Sequence, residues 1–395
     1  MPEQLLLEKG TFGPFQAPLN IDIRPLTIFI GPQGSGKSLL SEMLYFFRDA
    51  ENLLYRMRDT RDVEATVAAT LRSLRAGEKT QRALSVFLSE ATATWTYRAE
   101  TERSVSIYRN NKARPLGTFK QEVEAWVQRW AQDPSEPALH ALFIPAERIF
   151  FSRFINTNPQ ILGDKTLPLT VREFARYLLH VPNFYPFESA ASRQIESWAQ
   201  QALQGAFALE RRGRYANTWQ WRPRGMESTR LDIELASSGQ MQSWPLVVVA
   251  QALVEQEKPP FCIHIEEPES HLYPEAQVAI AWILAFLVNQ GFHVTITTHS
   301  ADLLFAFNNL LVAGTLLSDS VIDASLPPPE ARLHPEQVAV YKTGEGRVES
   351  ILTQIEDAHG RSFYWIDEDV LRQAQREQDI QLSRILSFQT AKHGK

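Results

Sequence analysis

Apolar and polar positions along this chain switch between two periods, and the switches mark its elements. Pro25 is followed by Leu26-Thr27-Ile28-Phe29-Ile30, a nearly continuous apolar run that ends at Gly31. Such a run predicts a strand buried on both faces, as in a parallel sheet. From Ser38 to about Met57 the apolar residues Leu39, Leu40, Met43, Leu44 and Phe47 fall at helical spacing. Strand, glycine-rich turn and helix therefore follow one another directly. Residues 60–90 read as helical and polar. Thr92 to Tyr108 alternates and predicts a hairpin about Glu102. Val123, Trp126, Val127 and Trp130 mark one helix face, and Leu142-Phe143-Ile144-Pro145 is a short strand running into Ala146-Glu147-Arg148.

The next stretch, 150–204, reads as a helical block. Thr170 and Glu173 have the spacing of a capping box that opens one helix, and Gly205 is expected to close a later one. From Ala206 to Leu235 the pattern returns to strands. The chain then alternates: strand 261–266, helix 275–289, strand 293–298, helix 301–312. Pro327-Pro328-Pro329 connects to a hairpin over 337–352 and a polar helix over about 367–387. Parallel αβ elements at both ends, with a different block between them, predict an α/β fold whose single sheet is interrupted by an insertion. The expected divisions are 1–149, 150–235, 236–312 and 313–395.

Composition narrows the class. The chain has 395 residues, 44% apolar and 22% charged, which is the balance of a globular protein and excludes a disordered or collagen-like one. The formal charge of −6 gives no global positive field, so any anion-binding surface must be local. A lone cysteine, Cys262, forms no internal disulfide or thiolate cluster, which fits a reducing cytosol. The opening Met1-Pro2-Glu3-Gln4 lacks the basic start of a secretory signal. Val278–Val288, the longest uncharged apolar stretch, has 11 residues, and spanning a bilayer needs roughly 18 or more. A cytoplasmic protein with no membrane contact is expected.

Four segments carry chemistry. Gly31-Pro32-Gln33-Gly34-Ser35-Gly36-Lys37-Ser38 fits the phosphate-loop pattern G-x-x-x-x-G-K-[ST], between a strand and a helix as that motif requires. Its backbone N–H groups and helix N-terminus suit phosphate oxygens. Lys37 is placed to reach the β and γ phosphates of ATP, and the Ser38 hydroxyl to bind Mg²⁺. Phe261–Glu267 is an apolar strand ending in two carboxylates. Glu266 would hold the metal and Glu267 would polarise an attacking water. His264, within that strand, reads as a packed histidine rather than a ligand. Ser237-Ser238-Gly239-Gln240 opens an apolar helix 21 residues before that strand's start at Phe261. Alone it would be an ordinary helix cap. His299 ends the next strand, where it could contact a γ-phosphate.

The order of these four elements resembles the ATP-binding-cassette (ABC) ATPases. Glu266-Glu267-Pro268-Glu269-Ser270-His271-Leu272-Tyr273-Pro274, with Thr298-His299-Ser300, resembles the RecF/SMC-like branch, and within it the ATPase domain of the OLD family and its phage-defence relatives. Ile144–Arg148 is also similar to those relatives. The resemblance implies an ABC-ATPase fold: a mixed, largely parallel core sheet, an antiparallel β subdomain and a helical insertion. It also implies a homodimer or higher homo-oligomer that sandwiches two ATP molecules head to tail, with Ser238, Gly239 and Gln240 clamping the γ-phosphate held by the other protomer. Catalysis would rest on Glu267, His299 and Lys37, with ATP and Mg²⁺ as cofactors. Gln33, Gly34, Ser35, Gly36, Lys37 and Ser38 would bind the nucleotide, and Ser38 and Glu266 the metal. The glutamine that usually senses Mg²⁺ has no clear counterpart; Glu147 or Arg148 stands nearest.

Two further segments bear on partners. Between Gly205 and Arg230 lie six arginines (Arg211, Arg212, Arg214, Arg222, Arg224, Arg230) against Glu210 and Glu227, with Tyr215, Trp219 and Trp221 interleaved. This reads either as a DNA-contacting strip with stacking aromatics or as an amphipathic hairpin whose tryptophans face the core. Asp367-Glu368-Asp369 resembles a nuclease D-x-D but is better read as an acidic helix N-terminus. The elements beyond residue 312 are not ones the ATPase core obviously requires. The reading is an ATP-hydrolysing switch that gates DNA or a separate effector protein, a nuclease above all, in phage defence or DNA repair. The rivals are a transporter's nucleotide-binding subunit and a nucleotide-locked scaffold.

Overall fold

A computed structural model gives the fold, and describes residues 2–58, 62–77, 84–156, 160, 163–212, 216–226, 228–256, 259–318, 321–323, 325–356, 360–367 and 380–381. The chain opens with β1 (Glu3–Lys9), a small hairpin of β2 (Thr11–Phe12) and β3 (Phe15–Gln16), β4 (Leu19–Ile23) and β5 (Leu26–Ile30). Helices α1 (Lys37–Arg48), α2 (Ala50–Arg56) and α3 (Val63–Ser73) follow, then β6 (Thr92–Arg98), β7 (Glu102–Tyr108), β8 (Ala113–Leu116) and α4 (Gly117–Gln132). After β9 (Ala141–Ile144) come α5 (Arg148–Phe154), α6 (Leu169–His180) and α7 (Ala190–Leu203). Strands β10 (Gly205–Arg212), β11 (Ala216–Pro223) and β12 (Leu231–Asp232) lead to α8 (Ser238–Gln256), β13 (Cys262–Glu266), α9 (Pro274–Asn289), β14 (His293–Thr298) and α10 (Ala301–Leu316). The described part ends with β15 (Val338–Gly344), β16 (Arg347–Ser350), β17 (Leu352–Glu356) and β18 (Ser362–Ile366).

The central sheet has the order β16-β15-β5-β14-β13-β9. Its pairs are parallel except β15–β16, an antiparallel hairpin turning at Glu345-Gly346. A second, antiparallel sheet runs β4-β1-β6-β7-β8. Alternation along β5 explains why its apolar run has no polar face. Leu26, Ile28 and Ile30 enter the core shared with α5 to α10, while Phe29 enters the core between the two sheets, beside α1. Both faces of the central sheet are thereby covered, as parallel strands require. The mixed, largely parallel sheet, the antiparallel subdomain and the helical insertion all match the expected fold class.

Several local expectations are corrected. Helix α6 begins at Leu169 after Pro168, so Thr170 lies inside it rather than capping it. Its hydroxyl donates to the Leu74 carbonyl instead, and Glu173 faces Arg56. Helix α7 ends on Gln204, in the left-handed conformation at φ 59°, and Gly205 already belongs to β10. Residues beyond 312 are part of the core, because β15 pairs with the phosphate-loop strand β5 over Val338–Lys342. Of the helix expected over 367–387, only 367 and 380–381 are described, and Glu368-Asp369 lie outside the described residues.

Candidate functional site

The phosphate loop is shaped by what packs around it. Gly31 must lack a side chain, since a Cβ there would lie 2.2 Å from the Thr343 carbonyl on β15. Gly36, at φ 96°, faces Phe15, whose ring atoms would come within 2.4 Å of a Cβ. Ser35 is buried and shares a 2.6 Å hydroxyl contact with Thr343, whose Oγ1 also donates to the Ile30 carbonyl. Gln33 and Gly34 stand exposed at the tip, and a Cβ at Gly34 would meet nothing. The loop thus has a closed wall on the β15 side and an open mouth.

At that mouth Lys37, His299 and Glu267 form a chain. Lys37 Nζ donates to the carbonyls of Gly31 and Pro32, at 2.8 and 2.9 Å, and lies 3.3 Å from His299 Nδ1. His299 Nε2 is 3.1 Å from Glu267 Oε1. An ammonium can only donate, so Nδ1 accepts and Nε2–H is the proton that points at the carboxylate. Partial burial brings the Lys37 pKa down to about 8, although Glu267, Glu269 and Glu266 all act to raise it. Glu269 holds the strand end in place, its Oε1 accepting from Thr298 Oγ1 and the His299 backbone N–H at 2.7 and 2.8 Å.

The second carboxylate faces the helix start. Glu266 accepts a hydrogen bond from Ser38; burial raises its pKa, as does the nearby charge of Glu147. Ser38, Glu42, Arg75, Glu147, Glu266 and Glu267 line one cavity of about 270 Å³. A hydroxyl and a carboxylate side by side are the hard oxygen donors that suit Mg²⁺, which takes its other ligands from phosphate and water. The donor set fits the expected ion, which Ser38 and Glu266 would hold.

Arg148, just after β9, is placed by its hydrogen bonds. It is fully buried and clamps the turn after β13. Nη1 donates to the carbonyls of Pro145 and Glu266 at 2.9 and 2.6 Å, Nη2 to Glu267 at 2.7 Å, and Nε to Gln242 at 3.1 Å. It positions the two carboxylates through their backbone, and Glu147, not Arg148, faces the Ser38–Glu266 cavity. The clamp reaches α8 through a local accident of sequence. Pro245 inside α8 has no N–H for the Met241 carbonyl, and Ser152 Oγ donates to it instead at 2.5 Å.

The signature segment is not assembled with the phosphate loop in one chain. Ser237 and Gln240 cap α8 reciprocally: Ser237 N–H donates to Gln240 Oε1 at 3.0 Å, and Gln240 N–H to Ser237 Oγ at 3.4 Å. Ser238 is exposed. Gly239 packs on the loop after β13, where a Cβ would lie 2.7 Å from the His271 carbonyl. Among the described residues no hydrogen bond joins Ser238, Gly239 or Gln240 to residues 31–38. His264 is the packed histidine expected: fully buried, stacked on Phe143 and hydrogen-bonded to Ser41 and Arg48.

In the basic segment the tryptophans face the core, as the amphipathic-hairpin reading expects. Trp219 and Trp221 are 1% and 3% exposed and belong to the core, so neither stacks on a base. Arg211 donates to the carbonyls of Pro182 and Tyr185. Arg214, Tyr215 and Glu227 lie outside the described residues.

Sequence motifs missed Thr343, Phe15 and Arg148's clamp. Thr343 stands in an ordinary polar hairpin strand, and only the pairing of β15 with β5 brings it to the loop.

Comparison with known proteins adds to this geometry. Residues 179–304 match a family model described as AAA ATPase domain, a stretch holding Ser238, Glu266, Glu267 and His299 but not the phosphate loop. A search of curated proteins finds no match. The fold is similar to a solved SmcHead bound to the C-winged helix domain of ScpA (TM-score 0.50, 13% identity, 94% of this chain and 98% of that one). An Smc head with an extended coiled coil from Pyrococcus furiosus, bound to the C-terminal domain of ScpA, gives TM-score 0.48 at 12% identity over 96% and 100% of the two chains. The SMC head domain from Thermotoga maritima gives 0.42 at 13% over 90% and 100%. No described helix is long and apolar enough to cross a membrane. This chain has an SMC-head-like α/β fold that carries an AAA ATPase match.

Proposed function

We propose that this chain binds and hydrolyses ATP as an ABC-type ATPase, dimerises around the nucleotide, and uses turnover to gate DNA or a separate effector protein. The observation that carries the reading is the chain Lys37–His299–Glu267, next to Ser38 and Glu266, at the mouth of a glycine-built phosphate loop. Backbone N–H groups at the start of α1 bind phosphate oxygens. Lys37 exchanges its bonds to Gly31 and Pro32 for the phosphates, which frees His299 Nδ1; once that nitrogen carries a proton it donates to the terminal phosphate while Nε2–H stays on Glu267. Glu267 orients the attacking water and takes its proton, held by His299 on one oxygen and by Ser270 Oγ on the other at 3.1 Å. When bound, Mg²⁺ supplies charge neutralisation at the phosphates. The rest of catalysis is positioning. The exposed Ser238, with Gly239 beside it, fits a role in trans, on nucleotide held by a second protomer.

Lys37→Ala is expected to abolish ATP binding, because the loop loses its one full positive charge. Glu267→Gln is expected to bind ATP normally and turn over about 10²–10⁴-fold more slowly, the range for loss of a general base. Equilibrium ATP binding and steady-state phosphate release check both. Wild-type turnover in Glu267→Gln would remove that residue from its role. The OLD-like motif form supports a setting in phage defence or DNA repair, with a nuclease as effector; co-purification of Glu267→Gln with and without ATP tests the partner.

A further inference from the structure

Where α7 hands the chain to β10, the protein opens a cavity of about 550 Å³ that shares no residue with the ATP site. Its walls are Ser197, Gln200 and Gln201 on α7 and Arg222, Arg224 and Gly225 on the hairpin side. The geometry follows from the left-handed Gln204. That residue turns the chain away from α7, and Arg224 N–H then donates to the Gln204 carbonyl at 2.8 Å. Gly205 closes the floor, where a Cβ would lie 2.4 Å from both the Arg222 carbonyl and the Trp221 ring.

The lining chemistry is one-sided. Two guanidinium groups, two carboxamides and a hydroxyl line the space, and among the described residues none of the lining is a carboxylate. Glu196, one turn up, is occupied by Gln200 Nε2 at 2.8 Å. The carbonyls at the end of α7 do not oppose an anion either, since Gln204 takes that of Gln200 through its N–H and that of Gln201 through Nε2. Arg222 Nε is buried with no hydrogen-bond partner among the described residues. That nitrogen is closed off from the cavity, but no carboxylate pairs with the guanidinium among the described residues, so its terminal N–H groups are left for an anion.

We propose that this cavity binds the phosphodiester backbone of a nucleic acid. The volume exceeds what a single phosphate needs. Arg230 stands exposed just before β12, whose Leu231 pairs with Trp221 beside Arg222. The tryptophans of the hairpin are spent on the core, so contact is made by charge to the backbone and not by stacking, which makes it insensitive to sequence. The cavity also touches the proposed switch. Gln240, which caps α8 with Ser237, donates through Nε2 to the Leu203 carbonyl at 3.1 Å, two residues from Gln201 and from Gly205. A strand seated between Gln201 and Arg222 therefore bears on the segment that holds Ser238. This coupling rests on the ATPase reading, whereas the binding does not.

Fluorescence anisotropy with a short labelled single strand and a duplex, without nucleotide, tests the binding. Arg222→Gln with Arg224→Gln is expected to weaken affinity by about tenfold or more and to flatten the log K against log [salt] slope by about 1–2, as loss of two phosphate contacts requires. Arg224→Glu alone, an exposed position, is expected to weaken it as well if the double variant proves unfolded by circular dichroism. Folded variants that bind both oligonucleotides as wild type does would overturn the proposal. So would wild-type protein that binds inorganic phosphate or AMP but neither oligonucleotide. Amide exchange at 237–240 should slow on oligonucleotide binding in wild type but not in the double variant, and an unchanged rate in wild type would overturn the coupling. Lys37→Ala is expected to keep oligonucleotide binding, so failure of the ATP reading is seen separately, in that variant's ATP affinity.

Discussion

Two buried side chains on α1 and α5 set what happens at the site without touching substrate. Glu42 is fully enclosed, and burial pushes its pKa up to about 8 even though Arg75 Nε lies 2.8 Å away and acts to lower it. Between its unfolded value near 4.5 and about 8, the folded protein holds a proton that the unfolded chain has released. This contribution is therefore fully present below about pH 4.5 and is lost as pH rises to about 8. Chemical denaturation should show wild-type stability falling relative to Glu42→Gln across that window, by up to about 1.4 kcal/mol per pH unit. Asp49, raised by burial to about 7, acts in the same direction. Arg148 acts through geometry. Arg148→Met removes the guanidinium that donates to the carbonyls of Glu266, Glu267, Pro145 and Gln242, of which Glu267 keeps the Ser270 N–H. It is expected to destabilise by about 1–3 kcal/mol in a denaturation curve, the cost of a buried acceptor left unsatisfied, and to lower turnover more than ATP affinity, because the carboxylates shift while the loop does not.

At the scale of elements, two contacts decide whether the site can form. The turn after β5 lies against β15 so closely that Gly31→Ala must displace the Thr343 carbonyl. That variant is expected to lose about 2 kcal/mol or more of stability, as a forced backbone shift does, and to bind ATP poorly. Thermal melting with and without ATP checks both effects. The start of α8 is the other contact. It is pinned to His271 by the close approach of Gly239 and to α7 by Gln240, while Ser238 points to solvent. Ser238→Arg is expected to keep ATP binding and to lose ATP-induced dimerisation and hydrolysis. Mixed with Lys37→Ala protein, it should recover activity in part, since one composite site then keeps both required groups. Light scattering with ATP measures the first, and turnover across mixing ratios the second. A Ser238→Arg monomer that hydrolyses ATP normally would show that the segment does not act in trans.

At the scale of the molecule, the central sheet is assembled from distant parts of the chain, with β5 between β14 and β15. Truncation after residue 312 removes β15 and β16, strips the covering from β5 and exposes a long parallel edge. The truncated chain is expected to be insoluble or unfolded rather than a smaller working ATPase, which soluble yield and circular dichroism would register. Two cores share that sheet, one with α5 to α10 and one with the antiparallel sheet and α1 to α4. The proposed ATP site and the cavity beside β10 lie on different parts of this frame, and Gln240 of α8 bonds the Leu203 carbonyl next to the cavity.

What could be read along the chain was local. The strand 26–30, the loop 31–38, the carboxylates after 262–266 and His299 at the end of 293–298 each follow from contiguous residues, because a phosphate loop, a buried strand and its terminal side chains are set by near neighbours. What could not be read was decided by contacts between residues far apart. Thr343 meets Ser35 across 308 positions, and Arg148 meets Glu267 across 119. The segment 205–230 has a pattern that serves a basic binding strip and an amphipathic hairpin equally well. Only the packing of Trp219 and Trp221 into the core shows that these two rings are not a stacking platform. The same holds for Thr170 and Gly205, whose capping signals were genuine as local preferences. Pro168 started one helix earlier, and Gln204 took up the left-handed turn that ends the other. A local preference of about 1 kcal/mol yields when burial of whole helix faces fixes where the chain must turn.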